Sequence, residues 1–164
     1  MYFISVMLLM LVFPVASICA EALLFHSRMP WILLIGKWFV FWSAGIRLFV
    51  AGIRQIFQPR FTSQEIFGIE SNDALPIVRE LGVANLATGT AGIASLLWPT
   101  FVAPMALIAG IFYGIAGTRH AMREHRNANE NIAMVSDLCV SVIFAAYTAY
   151  ALSVTSGALF ELRS

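Results

Sequence analysis

The sequence predicts an all-α integral membrane bundle of about five transmembrane helices, in one domain of 164 residues. Hydrophobic residues make up 60% of the chain and charged residues 12%, and the mean hydropathy is +0.82. Soluble domains contain about 25% charged residues, and a soluble fold of this size cannot bury so much apolar surface. The net charge of +1 argues against nucleic acid as a partner. The predicted partner is the lipid bilayer.

Five apolar segments have the length that a membrane crossing needs, which is about 20 helical residues for a hydrocarbon core of about 30 Å. The first contains Pro14, where we expect a kink. Pro30 opens the second in a first-turn position, and Asp73 is the expected N-cap of the third. The turn Trp98-Pro99-Thr100 separates the third from the fourth. An alternative is four spans plus a re-entrant or marginal segment. The predicted helices are residues 2–25, 30–57, 73–97, 101–117 and 131–155.

Basic residues predict how the chain is oriented in the membrane. Five spans place the N-terminus and the loops 58–72 and 118–130 on one side, together with six arginines, against Arg28 and Arg163 on the other. Because basic residues accumulate in short cytoplasmic loops, we expect a bacterial cytoplasmic membrane protein with its N-terminus inside and its C-terminus outside. The first segment has no basic region before it, so we expect a retained helix and not a cleaved signal peptide. The six arginines are Arg54, Arg60, Arg79, Arg119, Arg123 and Arg126.

Small residues predict where the helices pack most closely, because helices in lipid associate through close backbone approach. The third segment carries Gly89 and Gly92 beside a face of small residues, and the fourth carries Gly110, Gly114 and Gly117. A short turn joins the two segments. We therefore predict that the third and fourth helices make the tightest contact in the protein.

Ionisable residues within apolar segments predict a polar site, because burying charge in a membrane is costly. By depth, five side chains converge on one cytoplasm-facing pocket, which is a candidate ligand or proton site. The alternative is an interhelical clamp made by the Arg47–Asp137 pair. The loop after the second helix is either a surface amphipathic element or a cap over this pocket. The five residues are Arg47, Glu80, Asn85, His120 and Asp137.

A second polar pair, Glu21 and Lys37, is predicted near the opposite end, where the first two helices are antiparallel neighbours. Lys37 extending alone to the membrane surface is the alternative.

Cys19 and Cys139 lie in apolar runs and are expected to be buried, and no Cys or His spacing indicates a metal site. The sequence specifies no cofactor, although His120 as an axial ligand of a pigment is a minor alternative. No catalytic pair is recognisable.

Three stretches of the chain form a pattern: residues 79–92 with Glu80, Gly82, Asn85 and Gly89; residues 114–120 with Gly117 and His120; and residues 129–137 with Asn129, Asn131 and Asp137. This pattern resembles an uncharacterised family of small bacterial polytopic membrane proteins, similar in size and layout to DoxX-like proteins. The resemblance covers about the C-terminal two-thirds of the chain. It implies a helical membrane bundle and no established activity. DoxX-like proteins usually have four helices, whereas five segments are present here.

Three functional hypotheses follow from the sequence. The first is an accessory or structural subunit of a larger membrane complex, with other subunits or copies of itself as partners. The second is a small homo-oligomeric transporter or proton-coupled carrier that uses the cytoplasm-facing site. The third is a membrane enzyme acting on a lipid or quinone, with Glu80, His120 and Asp137 as its acid–base groups.

Overall fold

The computed structural model describes residues 2–161, with side chains described for residues 3–156. It consists of five long helices, and the described residues contain no strand. The prediction of an all-α bundle is therefore confirmed. The helices are α1 (2–24), α2 (Trp31–Phe57), α3 (Leu75–Ala94), α4 (Val102–Ala121) and α5 (Ala128–Glu161).

Four of these helices, α1, α2, α4 and α5, are long and apolar enough to cross a membrane. They make the chain a multi-pass membrane protein. Helix α3 has 20 residues, but it carries Arg79 and Glu80 in its first half and Asn85 at its middle, and it is less apolar. Four spans among the described residues, with α3 as the marginal segment, agree with the alternative derived from the sequence. A full crossing by α3 stays a prediction.

Helices α1 and α2 contain widened π-helical turns at Leu8–Val12, Ala20–Leu24 and Val40–Ile46. Pro14 lies just after the first of these turns, and α1 continues through it. Since proline has no N–H, the carbonyl of Met10 loses its usual helical donor. The Ser43 hydroxyl of α2 lies 3.5 Å from that carbonyl oxygen. A neighbouring helix thus supplies a donor for the freed carbonyl, as membrane helices require.

Helix α3 packs mainly against α2 and makes only minor contact with α4, whereas the small residues predicted α4 as its closest neighbour. A Cβ atom added at Gly89 would lie 2.3 Å from the backbone nitrogen of Phe49, and one at Gly92 would lie 2.6 Å from Gly45 Cα. Gly52 of α2 approaches the α3 backbone equally closely. The prediction failed because α2 also has glycines on this face, so its backbone fits the α3 glycines.

Helix α4 uses its small residues to pack against α5. A Cβ atom at Gly117 would lie 2.8 Å from the Leu138 side chain, one at Gly114 would lie 2.7 Å from the Ser141 hydroxyl, and one at Gly110 would lie 3.2 Å from Phe144 Cβ. The predicted packing glycines therefore lie at two separate interfaces. The turn at Trp98 joins two helices that belong to different pairs.

The two pairs enclose an apolar core together with α1. Met10, Val40, Ala44, Tyr113 and Phe144 are all fully buried in it. Cys19 and Cys139 are exposed on the outside of the bundle, so their predicted burial is wrong. Their apolar surroundings in the sequence reflect outer helix faces, which are as apolar as the core.

The loops 58–72 and 118–130 meet at one end of the bundle, which we call the loop end. The first contains a one-turn π-helix, Phe61–Ile66. Arg123 of the second donates to the carbonyl of Phe67 at 3.3 and 3.2 Å, and Asn127 donates to the carbonyls of Glu65 and Ile66. Helix α3 follows a 3₁₀ turn whose N-cap is Ser71, and not the predicted Asp73: the Ser71 hydroxyl accepts from the Asp73 N–H.

Candidate functional site

A cavity of about 180 Å³ lies near the loop end, and all five helices and the Phe61–Ile66 turn contribute to its wall. Four of the five residues predicted for the polar site line it. The fifth, Glu80, is exposed and does not line the cavity. Charged and amide- or imidazole-bearing side chains in the wall are Arg47, Arg54, Gln55, Asn85, His120 and Asp137.

Arg47 of α2 and Asp137 of α5 form an ion pair across the cavity wall, with Nη2 3.3 Å from Oδ1. The side chains are only 14% and 7% exposed. Tyr113 of α4 also contacts Arg47: its hydroxyl lies 3.4 Å from Nη1 and its ring centroid 5.3 Å from the guanidinium carbon. The Tyr113 hydroxyl donates to the Ser43 carbonyl at 2.5 Å. One arginine therefore links α2, α4 and α5.

Asn85 of α3 donates to the side-chain oxygen of Gln55 on α2 at 2.8 Å, and both residues are buried. Gln55 follows Arg54 in the last turn of α2 and was not singled out by sequence reasoning. The signal was available, because Gln55 and Arg47 lie eight residues apart, which is a same-face spacing in a helix. The Asn85–Gln55 pair satisfies amide groups that would otherwise be costly to bury.

His120, at the end of α4, contacts Glu130 in the first turn of α5, with Nδ1 2.9 Å from Oε1. The Nη1 atom of Arg123 lies 2.9 Å from the same carboxylate oxygen. Glu130 is only 2% exposed, and its backbone N–H donates to the Asn127 side chain. Phe67 stacks on the imidazole with ring centroids 5.9 Å apart. Sequence reasoning missed Glu130, which appeared to belong to a solvated loop.

The Phe61–Ile66 turn and Phe67 close the cavity at the loop end. Phe61, Thr62, Ile66 and Phe67 all line it. The Arg54 guanidinium carbon lies 3.3 Å from the ring centroid of Phe61, which holds the turn against α2. Of the two alternatives derived from the sequence for this loop, the structure therefore has the cap over the pocket.

The second predicted pair meets at the opposite end of the bundle. Lys37 Nζ lies 2.7 Å from Glu21 Oε2, and the indole N–H of Trp38 donates to the same oxygen at 2.7 Å. Ten residues of α2 separate Lys37 from Arg47, a rise of about 15 Å. The two polar groups are therefore distinct sites, one toward each end.

The cavity combines one ion pair, one amide pair, one histidine and apolar walls, a composition typical of small-molecule binding sites. Within the described residues, no cluster of three or more His, Cys, Asp or Glu side chains is arranged to hold a metal ion. Such a site can hold the polar group of a ligand and bury its apolar part.

The model of a family of unknown function, DUF6790, matches residues 2–158, which is nearly the whole chain. The sequence-based expectation of an uncharacterised family is confirmed by this match. No curated protein and no solved structure matches the chain.

Proposed function

Since the chain belongs to the DUF6790 family of unknown function, its function has to be derived from its site, and we propose that it is a membrane protein that binds a small molecule in the cavity at the loop end. The observation that carries this proposal is the convergence of Arg47, Asn85, His120 and Asp137, from four helices, on one cavity. An ion pair that served only as a clamp needs no open space beside it.

Binding from one end fits the geometry better than a continuous transport path. Between the cavity and the Glu21–Lys37 pair lies the apolar core, with Met10, Val40 and Phe144 fully buried. A carrier would have to open this core, and the second polar pair would then be its opposite gate. We therefore propose one-sided binding as the basic activity, with carrier function as the extension that the Glu21–Lys37 pair favours.

The accessory-subunit hypothesis depends on the outer surface. Ile108, Ile111 and Ile115 form an exposed apolar stripe along α4, suited either to lipid or to another membrane subunit.

We place the loop end in the cytoplasm, because six of the eight arginines assigned to loops or helix ends lie there. A bacterial cytoplasmic membrane is the proposed location.

Mass spectrometry of the protein, extracted gently with its native lipids, tests ligand binding directly. We expect a bound small molecule on the wild-type protein and its loss in Ala116→Phe, which fills the cavity. Ala146→Phe, on the exposed face of α5, is the matched control and should retain the ligand. A wild-type protein that carries no small molecule, but a stoichiometric second protein, would overturn ligand binding in favour of the accessory subunit.

A further inference from the structure

The charges and the openings of the cavity identify the class of its ligand. We propose that the ligand is a single-chain lipid with an anionic head group, which enters sideways from the membrane past Val50 and Arg54 and is held at its head by Arg47 and Arg54. This inference rests on the proposed function, because it specifies the ligand of the same cavity.

The first argument is the charge of the cavity wall. The wall contains two arginines, Arg47 and Arg54, against one carboxylate, Asp137, so that its arginines outnumber its carboxylates. Guanidinium groups bind carboxylates and phosphates in a bidentate geometry that a lysine cannot match. In low-dielectric surroundings such charge-assisted hydrogen bonds are about twice as strong as neutral ones. The wall therefore favours an anion.

The second argument is the position of Arg54. It lies seven residues after Arg47, on the same face of α2 and about 10 Å further along the helix. Arg54 is exposed and stacks on Phe61, and it forms no ion pair within the part of the chain that the structure describes. A head group entering the cavity meets Arg54 first and Arg47 deeper in.

The third argument is a second, shallower cavity on α2, lined by Val50, Ile53, Arg54, Phe57 and Gln58. It shares Val50 and Arg54 with the main cavity. Val50 is 50% exposed and Phe57 is 79% exposed, on a spanning helix. The two cavities therefore share part of their wall on an exposed side of a spanning helix, and this is the side from which a hydrocarbon chain enters the main cavity in our proposal.

The fourth argument is the apolar part of the main cavity. Val6 and Leu9 of α1, Leu48 of α2 and Phe112 of α4 line it together with the polar groups. Most of its surface is apolar, which a free phosphate or a short carboxylate would leave unused. A ligand with one hydrocarbon chain covers it.

The test uses the protein in nanodiscs of neutral phosphatidylcholine and four labelled probes: dodecyl phosphate, dodecanol, dodecyltrimethylammonium and inorganic phosphate. Binding to empty nanodiscs is subtracted. We expect dodecyl phosphate to bind at least about tenfold tighter than the neutral and cationic probes, since only the anionic head group forms charge-assisted hydrogen bonds with the arginines. Inorganic phosphate should not bind measurably.

Variants locate the head group. Arg54→Gln should weaken dodecyl phosphate binding about tenfold by the same argument, whereas Arg60→Gln, an exposed arginine outside the cavity wall, should not change it. Asp137→Asn should strengthen binding, because it removes the opposing charge. In Arg54→Gln and in Asp137→Asn, the affinity for dodecyltrimethylammonium should change in the direction opposite to that for dodecyl phosphate.

The outcomes separate the two proposals. If the three dodecyl probes bind equally and Ala116→Phe blocks them all, the cavity binds ligands but the anionic specificity is wrong. If inorganic phosphate binds as tightly as dodecyl phosphate, the lipid source is wrong. If no probe binds above the level of Ala116→Phe, the cavity site itself is refuted.

Discussion

The Arg47–Asp137 pair illustrates how the charge of a buried side chain is compensated in this bundle. Each side chain is largely buried, and each neutralises the charge of the other. Tyr113 extends the interaction by contacting Arg47 and by donating to the Ser43 carbonyl. Removing one charge leaves the other without compensation, which costs more free energy than the intact pair contributes.

Single and double substitutions test this compensation. Arg47→Gln and Asp137→Asn should each lower the free energy of unfolding by about 3 kcal/mol. The double variant should lose less than the sum, because it leaves no unpaired charge. Thermal unfolding in one detergent at one pH measures all three, with Arg60→Gln as the exposed control. Additive losses would show that the two charges do not interact.

At the scale of elements, glycines decide which helices become neighbours. Gly89 and Gly92 of α3 meet Phe49 and Gly45 of α2 at backbone distance. At the α4–α5 interface the atoms facing the glycines are mostly side chains, such as the Ser141 hydroxyl opposite Gly114. A backbone cannot move aside as a side chain can, so the α2–α3 interface is the stricter of the two.

Alanine substitutions compare the two interfaces. Gly89→Ala should destabilise the protein by about 1–3 kcal/mol, because the new methyl group overlaps the α2 backbone. Gly114→Ala should cost less, since Ser141 can change rotamer and alanine favours the helix by about 1 kcal/mol. Unfolding by denaturing detergent, monitored by circular dichroism, gives both values. Equal losses would contradict the distinction between the interfaces.

The cap over the cavity is an element that is tied by hydrogen bonds to the α4–α5 loop. Arg123 donates to the carbonyl of Phe67 and also pairs with the buried Glu130. Arg123→Gln should therefore raise hydrogen exchange across the Phe61–Ile66 turn several-fold, because only the Asn127 hydrogen bonds then tie this segment to the α4–α5 loop. Arg119→Gln, an exposed arginine on α4, is the control. Unchanged exchange in Arg123→Gln would show that other contacts hold the cap.

At the scale of the whole molecule, the outer surface is apolar while the polar contacts gather toward the two ends. Exposed residues such as Ile77, Ile111 and Val142 lie on helices of both pairs. The cap and the loop 118–130 form one end, with Glu21, Lys37 and Trp38 near the other. This distribution fits a protein whose belt faces lipid and whose ends face water.

Single-cysteine labelling tests the orientation. After Cys19 and Cys139 are replaced by alanine, cysteines at Gln64 and Glu124 should react with a membrane-impermeant reagent only in inverted vesicles. A cysteine at Arg28 should react only in right-side-out vesicles. The expectation follows from the excess of arginine at the loop end. Labelling of Gln64 and Glu124 from opposite sides would refute the shared loop end in the membrane.

Sequence alone determined the helical class, and it predicted five helical segments and the positions of the polar side chains along them. These properties depend on composition and on position along one helix, both of which are local. Arg47, Asn85, His120 and Asp137 could therefore be grouped before any contact was known. Glu80 was grouped with them by depth, but depth does not fix the direction in which a side chain points around the helix.

Tertiary structure decided which helix faces lie against each other. It paired α3 with α2 and α4 with α5, brought Gln55, Tyr113 and Glu130 into the site, and placed both cysteines on the outside. In a membrane the inner and outer faces of a helix are both apolar, so hydropathy does not distinguish them. The inner face is distinguished only by how well its small residues fit those of one particular neighbouring helix. That fit depends on both helices together.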